Sequence, residues 1–225
     1  MENIKIMVIF GTRPEAIKMA PLIKELEKVP QIQCKVCVTA QHREILDQVL
    51  EIFNIKPEYD LNIMKTKQSL TGITCSVLSG LEKIFDKEKP NMVLVHGDTT
   101  TTFAAALAAF YRKIPVGHVE AGLRSHKKYS PYPEEINRKL TASLTELHFA
   151  PTSISKENLL LEGIDEKDIF VTGNTVIDAM KYTIKDNYVF ENHELNSIDF
   201  KNKKIIMVTA HRRENWGIGI ENICK

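Results

Sequence analysis

Residues 4–15 read IKIMVIF-GTRPE. Seven nearly continuous apolar residues suit a parallel strand covered on both faces, since a strand with one wet face would alternate. Thr12 and Glu15 then make a capping box, and Pro14 stands near the first helical position, so the strand turns directly into a helix. In that helix Ala16, Met19, Leu22, Ile23 and Leu26 share one face at helical spacing.

The same unit recurs outward from this start. Strands are predicted over 33–39, 92–96, 116–119, 147–150 and 169–172, and helices over 43–53, 70–86, 100–112, 133–144 and 153–162. Strands alternating with helices at this spacing imply an α/β fold, a doubly wound parallel sheet of Rossmann-like type over residues 1–172. Residues 173–225 are expected to hold an inter-domain segment and the start of a second α/β unit. Within them the polar stretch 186–204 is the best linker, and 205–209 reads as a fresh strand. The chain ends inside an expected helix without a stop signal, so this second unit is expected to be incomplete.

Composition narrows the function. The 225 residues carry a net charge of +1, with 43% hydrophobic and 26% charged residues, as in a soluble globular protein. That balance gives no support for nucleic-acid binding or a membrane-surface role. No segment approaches the roughly 20 apolar residues of a membrane span, and Glu2 ahead of a short apolar run does not suit a signal peptide. A cytoplasmic protein is expected. Cys34 and Cys37 form a C-x-x-C inside a predicted strand, where positions three apart face opposite ways, so buried structural thiols are expected.

Ligands of open α/β sheets bind beyond the carboxyl ends of the strands. Those ends read GTRPE (11–15), AQHR (40–43), GDTT (97–100), EAGLR (120–124), GNT (173–175) and AHRREN (210–215). Small residues beside Arg, His, Asp and Glu at six strand ends describe one polar cleft. The first turn lacks G-x-G-x-x-G, and no acidic residue ends the second strand, which argues against NAD; no G-x-x-x-x-G-K-[ST] is present either. Gly11 and Thr12 at a helix start, with Arg13, suit an anionic group. His211 beside Arg212 and Arg213 suits a diphosphate, although Arg213 reads better as a surface ion pair.

Three carboxylate positions stand out. Asp98 follows an apolar strand and could also cap the next helix. Glu120 ends another strand before a glycine and is the hardest to explain structurally. Glu134 and Glu135 open a helix, and one of the two is expected to be only a first-turn acid favoured by the helix dipole. A metal site from His118 and Glu120 lacks a third ligand of convincing spacing.

The blocks GTRPEAIKMAPL (11–22), AQHRE (40–44), HGDTTTT (96–102), HVEAGLRS (118–125), PYPEEINR (131–138), HFAPT (148–152), VTGNTVIDAM (171–180) and TAHRREN (209–215) together resemble the non-hydrolysing UDP-N-acetylglucosamine 2-epimerases. The resemblance implies a two-domain fold of GT-B type that interconverts UDP-GlcNAc and UDP-ManNAc without NAD or an essential metal. It implies anti elimination of UDP to a 2-acetamidoglucal, followed by re-addition, and a role supplying ManNAc for cell-surface polysaccharides. Asp98, Glu120 and Glu134 become the acid/base and cation-stabilising candidates, and His211 the group assisting UDP departure. Arg13, Lys18, Arg138, Asn174 and Arg212 become substrate contacts, with Lys18 alternatively an exposed helix residue. Gln41, His42 and Arg43 match a segment where relatives hold a second UDP-GlcNAc as activator. The full-length form is expected to be a homodimer. The readings left open beside it are a catalytically silent sugar-nucleotide-binding fragment, a hydrolysing epimerase and a related glycosyltransferase.

Overall fold

The computed structural model describes residues 3–40, 43–64, 68–185, 188–208 and 217–224, without the side chains of 43–45. The chain divides into two compact units, 1–184 and 185–225.

The first unit is built on seven parallel strands: β1 (Ile4–Phe10), β2 (Ile32–Val38), β3 (Tyr59–Asp60), β4 (Met92–His96), β5 (Val116–Val119), β6 (Leu147–Ala150) and β7 (Ile169–Val171). Their order across the sheet is β3-β2-β1-β4-β5-β6-β7. Register pairs Phe10 with Val38, Val8 with Leu94, His96 with Val119 and His118 with His148. The connecting helices are α1 (Arg13–Glu27), α2 (Arg43–Ile52), α3 (Leu70–Glu88), α4 (Thr100–Tyr111), α5 (Glu134–Ser143), α6 (Ser153–Leu161) and α7 (Val176–Thr183).

Strand periodicity sends alternate side chains of β1 into two cores. Val8 and Phe10 pack with Met19 and Ile23 of α1, Leu46 of α2 and Phe53 just after it. Met7 and Ile9 pack with Val77, Leu81, Phe85 and the alanines of α3 and α4. Both faces are dry from Met7 to Phe10, which is why that part of β1 is apolar throughout. Each of these large side chains, fully buried, contributes about 1.5–3 kcal/mol. Cys34 joins the first core and Cys37 the second, on opposite faces as strand geometry requires. Burial pushes both thiols up to about 12.

Two elements escape the sequence pattern. β3 is a two-residue edge strand, too short to show a period. α7 has only one buried residue, Ala179, and it docks on α1 through the Tyr182 hydroxyl, which donates to Glu25 at 3.4 Å. The first unit therefore extends past residue 172.

The second unit contains α8 (His193–Asn196), capped by Asn192, and α9 (Ile218–Cys224). Phe190 stacks on Phe200 at 5.7 Å. Residues 205–208 are not a strand, contrary to the sequence reading, and Ile206 and Met207 are 85% and 90% exposed. A strand needs a neighbour to take up its N–H and C=O groups, and among the described residues of this unit no strand supplies one.

Candidate active site

The strand order reverses between β1 and β4, so the turns that follow these strands flank the crevice of the sheet. Gly11 makes their close approach possible. A Cβ there would lie 2.2 Å from Thr39 Oγ1 and 2.8 Å from Thr101 Oγ1, closer than any side chain tolerates. Arg13 is the first residue of α1 and is exposed.

Asp98 does not cap α4. Thr99 does, accepting from the Thr102 N–H at 3.1 Å, and Asp98 is left to face α5. Arg138 Nη2 donates to Asp98 Oδ2 at 2.5 Å, and Asn137 Nδ2 donates to the Asp98 carbonyl at 2.9 Å. One turn of α5 thus fixes both the side chain and the backbone of Asp98.

Glu120 lies one strand over, immediately after β5. Its φ of +63° is in the left-handed region, uncommon for a residue with a Cβ and a form of strain that gathers at functional sites. The carboxylate is met by Lys18 Nζ at 2.5 Å and by Asn174 Nδ2 at 2.9 Å, both on Oε2. Lys18 is therefore not a plain surface residue of α1. Residues from α1, the β5 turn and the turn before α7 are brought together over more than a hundred positions of sequence. Gly122, at φ +84°, follows; a Cβ on it would sit 2.1 Å from the Ser155 carbonyl oxygen.

The two glutamates of α5 separate cleanly. Glu135 is 1% exposed and accepts from the Ser125 N–H at 2.9 Å, the His126 N–H at 3.0 Å and Arg138 at 3.3 Å. Burial alone would raise its pKa, but these donors outweigh burial and hold it below the ordinary value. It is the structural member of the pair. Glu134 Oε2 is buried without a hydrogen-bond partner among the described residues. It lines a cavity of about 210 Å³ with Thr12, Asp98, Thr99 and Asn137. Larger grooves of about 460 and 400 Å³ run beside α7. Asp98, Glu120, Glu134 and Glu135 do not line those two grooves.

Three histidines lie behind these turns; the sequence reading weighs His118 only as a metal ligand and gives His96 and His148 no role. His96, His118 and His148 are 3%, 0% and 0% exposed. Burial, with a smaller push from the Lys18 charge on His96, lowers their pKa values to about 3, 3 and 4. His96 Nε2 stands 3.8 Å from Glu120 Oε2, but a neutral ring at that distance is no ion pair. His118 Nε2 meets the Gly97 carbonyl at 2.7 Å and so pins the turn before Asp98. Their strand-end positions were visible in sequence, but burial was not. Among the described residues no cluster of three His, Cys, Asp or Glu could hold a metal, and no helix is long and apolar enough to cross a membrane. Gln41, His42, His211, Arg212 and Arg213 lie outside the described residues. So does the side chain of Arg43, at the start of α2.

At the carboxyl ends of β4 and β5 the structure thus brings together Asp98 with Arg138 and Glu120 with Lys18 and Asn174, and Glu134 shares a cavity with Asp98. The family model described as UDP-N-acetylglucosamine 2-epimerase matches residues 24–225. The chain belongs to the UDP-N-acetylglucosamine 2-epimerase family. A Clostridium acetobutylicum relative is 69% identical over 224 residues, which is 100% of this chain and 58% of the relative. The chain therefore spans less than two thirds of that epimerase-family protein. Among solved structures, the Staphylococcus aureus MnaA–UDP co-structure aligns with a TM-score of 0.86 at 56% identity, covering 99% of this chain and 57% of its own. The Neisseria meningitidis UDP-GlcNAc 2-epimerase bound to UDP-GlcNAc aligns with a TM-score of 0.76 at 63% identity, covering 79% of this chain and 49% of its own.

Proposed function

We propose that this chain supplies the carboxylate-bearing wall of a cleft that interconverts UDP-GlcNAc and UDP-ManNAc. Family membership and the UDP and UDP-GlcNAc bound to relatives of known structure support the substrate. The observation that carries the chemistry is the pair of carboxylates on adjacent strand ends, each tethered through one oxygen to a cation.

The C2–H of the sugar is not next to a carbonyl and is hardly acidic. Breaking the C1–O bond builds positive charge at C1, which acidifies that proton and which carboxylates stabilise. A carboxylate takes the C2 proton, the C–H pair becomes the C1=C2 bond, and UDP leaves with the C1–O pair. In the return step a UDP oxygen adds to C1, and an acid delivers a proton to C2 from the opposite face. Asp98, Glu120 and Glu134 are the groups for these transfers. Lys18, Arg138 and Asn174 hold two of them in place. Arg13, His211 and Arg212 serve the diphosphate.

The reading includes an activator UDP-GlcNAc at Gln41, His42 and Arg43, a homodimeric full-length form, a cytoplasmic site and a supply of ManNAc for cell-surface polysaccharides. It needs neither NAD nor a metal. Following deuterium incorporation at C2 of UDP-GlcNAc from heavy water tests it. Exchange that disappears in Asp98→Asn, Glu120→Gln and Glu134→Gln supports the site. Exchange at near wild-type rates in all three variants overturns it, and no exchange from the folded parent chain favours a silent sugar-nucleotide-binding fragment.

A further inference from the structure

His118 falls within β5, a strand whose other residues are glycine and valine, all of them buried. The register sets it beside Val95 of β4 on one side and His148 of β6 on the other. An apolar side chain in that position would avoid the cost of desolvating a polar ring. The imidazole is 0% exposed, and its Nε2 meets the Gly97 carbonyl oxygen at 2.7 Å. A carbonyl oxygen can only accept, so the proton of this contact is carried by Nε2. Nδ1 is buried, and among the described residues no acceptor draws a proton to that side.

The same strand holds Gly97 a second time, because the Gly97 N–H donates to the Val119 carbonyl at 2.9 Å. One residue of the β4 turn therefore gives its carbonyl to His118 and its N–H to Val119. The residue that follows Gly97 is Asp98, and the one that follows Val119 is Glu120. Gly97 has a φ of +71°, a region that glycine enters freely. A Cβ built on it would stand 3.9 Å from Glu120 Oε1, so this residue lies between the two carboxylate-bearing turns. A peptide unit is planar, so fixing the Gly97 carbonyl fixes the plane that carries the Asp98 nitrogen and Cα. The plane after Asp98 is held by Asn137, which donates to the Asp98 carbonyl at 2.9 Å. Both peptide planes that flank Asp98 are thus pinned, one from β5 and one from α5.

We infer that His118 is a positioning residue: its Nε2–H holds the peptide plane before Asp98 and so fixes the Asp98 carboxylate relative to that of Glu120. On the reading given under Proposed function, on which this assignment rests, both carboxylates serve neighbouring carbons of one sugar. A turn free to rotate would then cost rate more than binding.

Two substitutions separate the hydrogen bond from the packing. In His118→Gln the amide N–H can stand where Nε2–H stood, whereas His118→Met has similar reach and no donor. In backbone amide NMR spectra of the 225-residue chain, the Gly97 and Asp98 signals should stay near their parent positions in His118→Gln and move in His118→Met. Signals that move equally in both variants, or in neither, overturn the assignment. Nitrogen-15 spectra of the histidine-labelled parent at pH 7 decide even where a variant fails to fold. A pyrrole-type Nε2 on His118 is expected, and a proton on Nδ1 alone overturns the assignment. For the reaction, His118→Gln should keep kcat for C2 exchange within about threefold, while His118→Met lowers kcat about tenfold with the KM for UDP-GlcNAc within about twofold. A loss carried by KM, or equal kcat values in the two variants, overturns the positioning role. Absence of exchange in the parent would count against the proposed function alone, since the amide and imidazole spectra still report the hydrogen bond.

Discussion

Acid should unfold this protein well before its carboxylates are neutralised, because three histidines are locked inside as neutral rings. An unfolded histidine titrates at the reference value of 6.5, whereas His96, His118 and His148 are held at about 3, 3 and 4. Below 6.5 the unfolded chain takes up protons that the folded chain refuses, so stability falls as pH drops toward the folded values. At pH 5 each ring has lost about 2 kcal/mol relative to pH 7, and the three together about 6 kcal/mol, a large part of the usual 5–15 kcal/mol. Glu15 works the other way, since its folded carboxyl is pushed up by burial, and it offsets part of the loss. Among the described residues, seven carboxylates whose pKa values the fold lowers from 4.5 or 3.8 add their loss mainly below pH 5. Urea titrations followed by circular dichroism at pH 7 and 5 measure the difference. At an m-value of about 2 kcal/mol/M, the midpoint should fall by about 2 M or more. His148→Gln removes one of the three rings and should shrink the loss by about 2 kcal/mol. Coincident midpoints at the two pH values, with m unchanged, would refute the argument.

Further outcomes follow from single contacts. Lys18→Met leaves Glu120 without its cation and should slow C2 exchange at least about tenfold, the size of one charge-assisted hydrogen bond; an unchanged rate would return Lys18 to the status of a helix surface residue. Gly122→Ala forces a Cβ to 2.1 Å from the Ser155 carbonyl at a positive φ and should cost about 2 kcal/mol or more in thermal unfolding. Thiol labelling at pH 8 should modify Cys75 and Cys224 quickly, since both are exposed, and spare Cys34 and Cys37. Fast labelling of three or four thiols would contradict the burial described.

The sequence alone carried the strands and helices of the first unit, because hydrophobic periodicity is local and each element displays its own. It also marked the strand ends, since Asp98, Glu120 and Arg13 interrupt apolar runs that have no other reason to stop there. It could not see β3 or α7, where a two-residue strand and a helix with one buried residue leave no period to read. It expected a strand over 205–209 from apolar content, but a strand exists only with a pairing partner. Only the tertiary structure decided which neighbour each charge meets. Glu134 and Glu135 are adjacent and alike in sequence, yet the 125–126 backbone closes on one, while an oxygen of the other is buried without a hydrogen-bond partner among the described residues. Lys18 gained its meaning from Glu120, 102 positions away, and Glu15 from two threonines of another turn. Periodicity is written in neighbouring residues, whereas a charge partner is fixed by strand order and register, which the whole sheet sets at once.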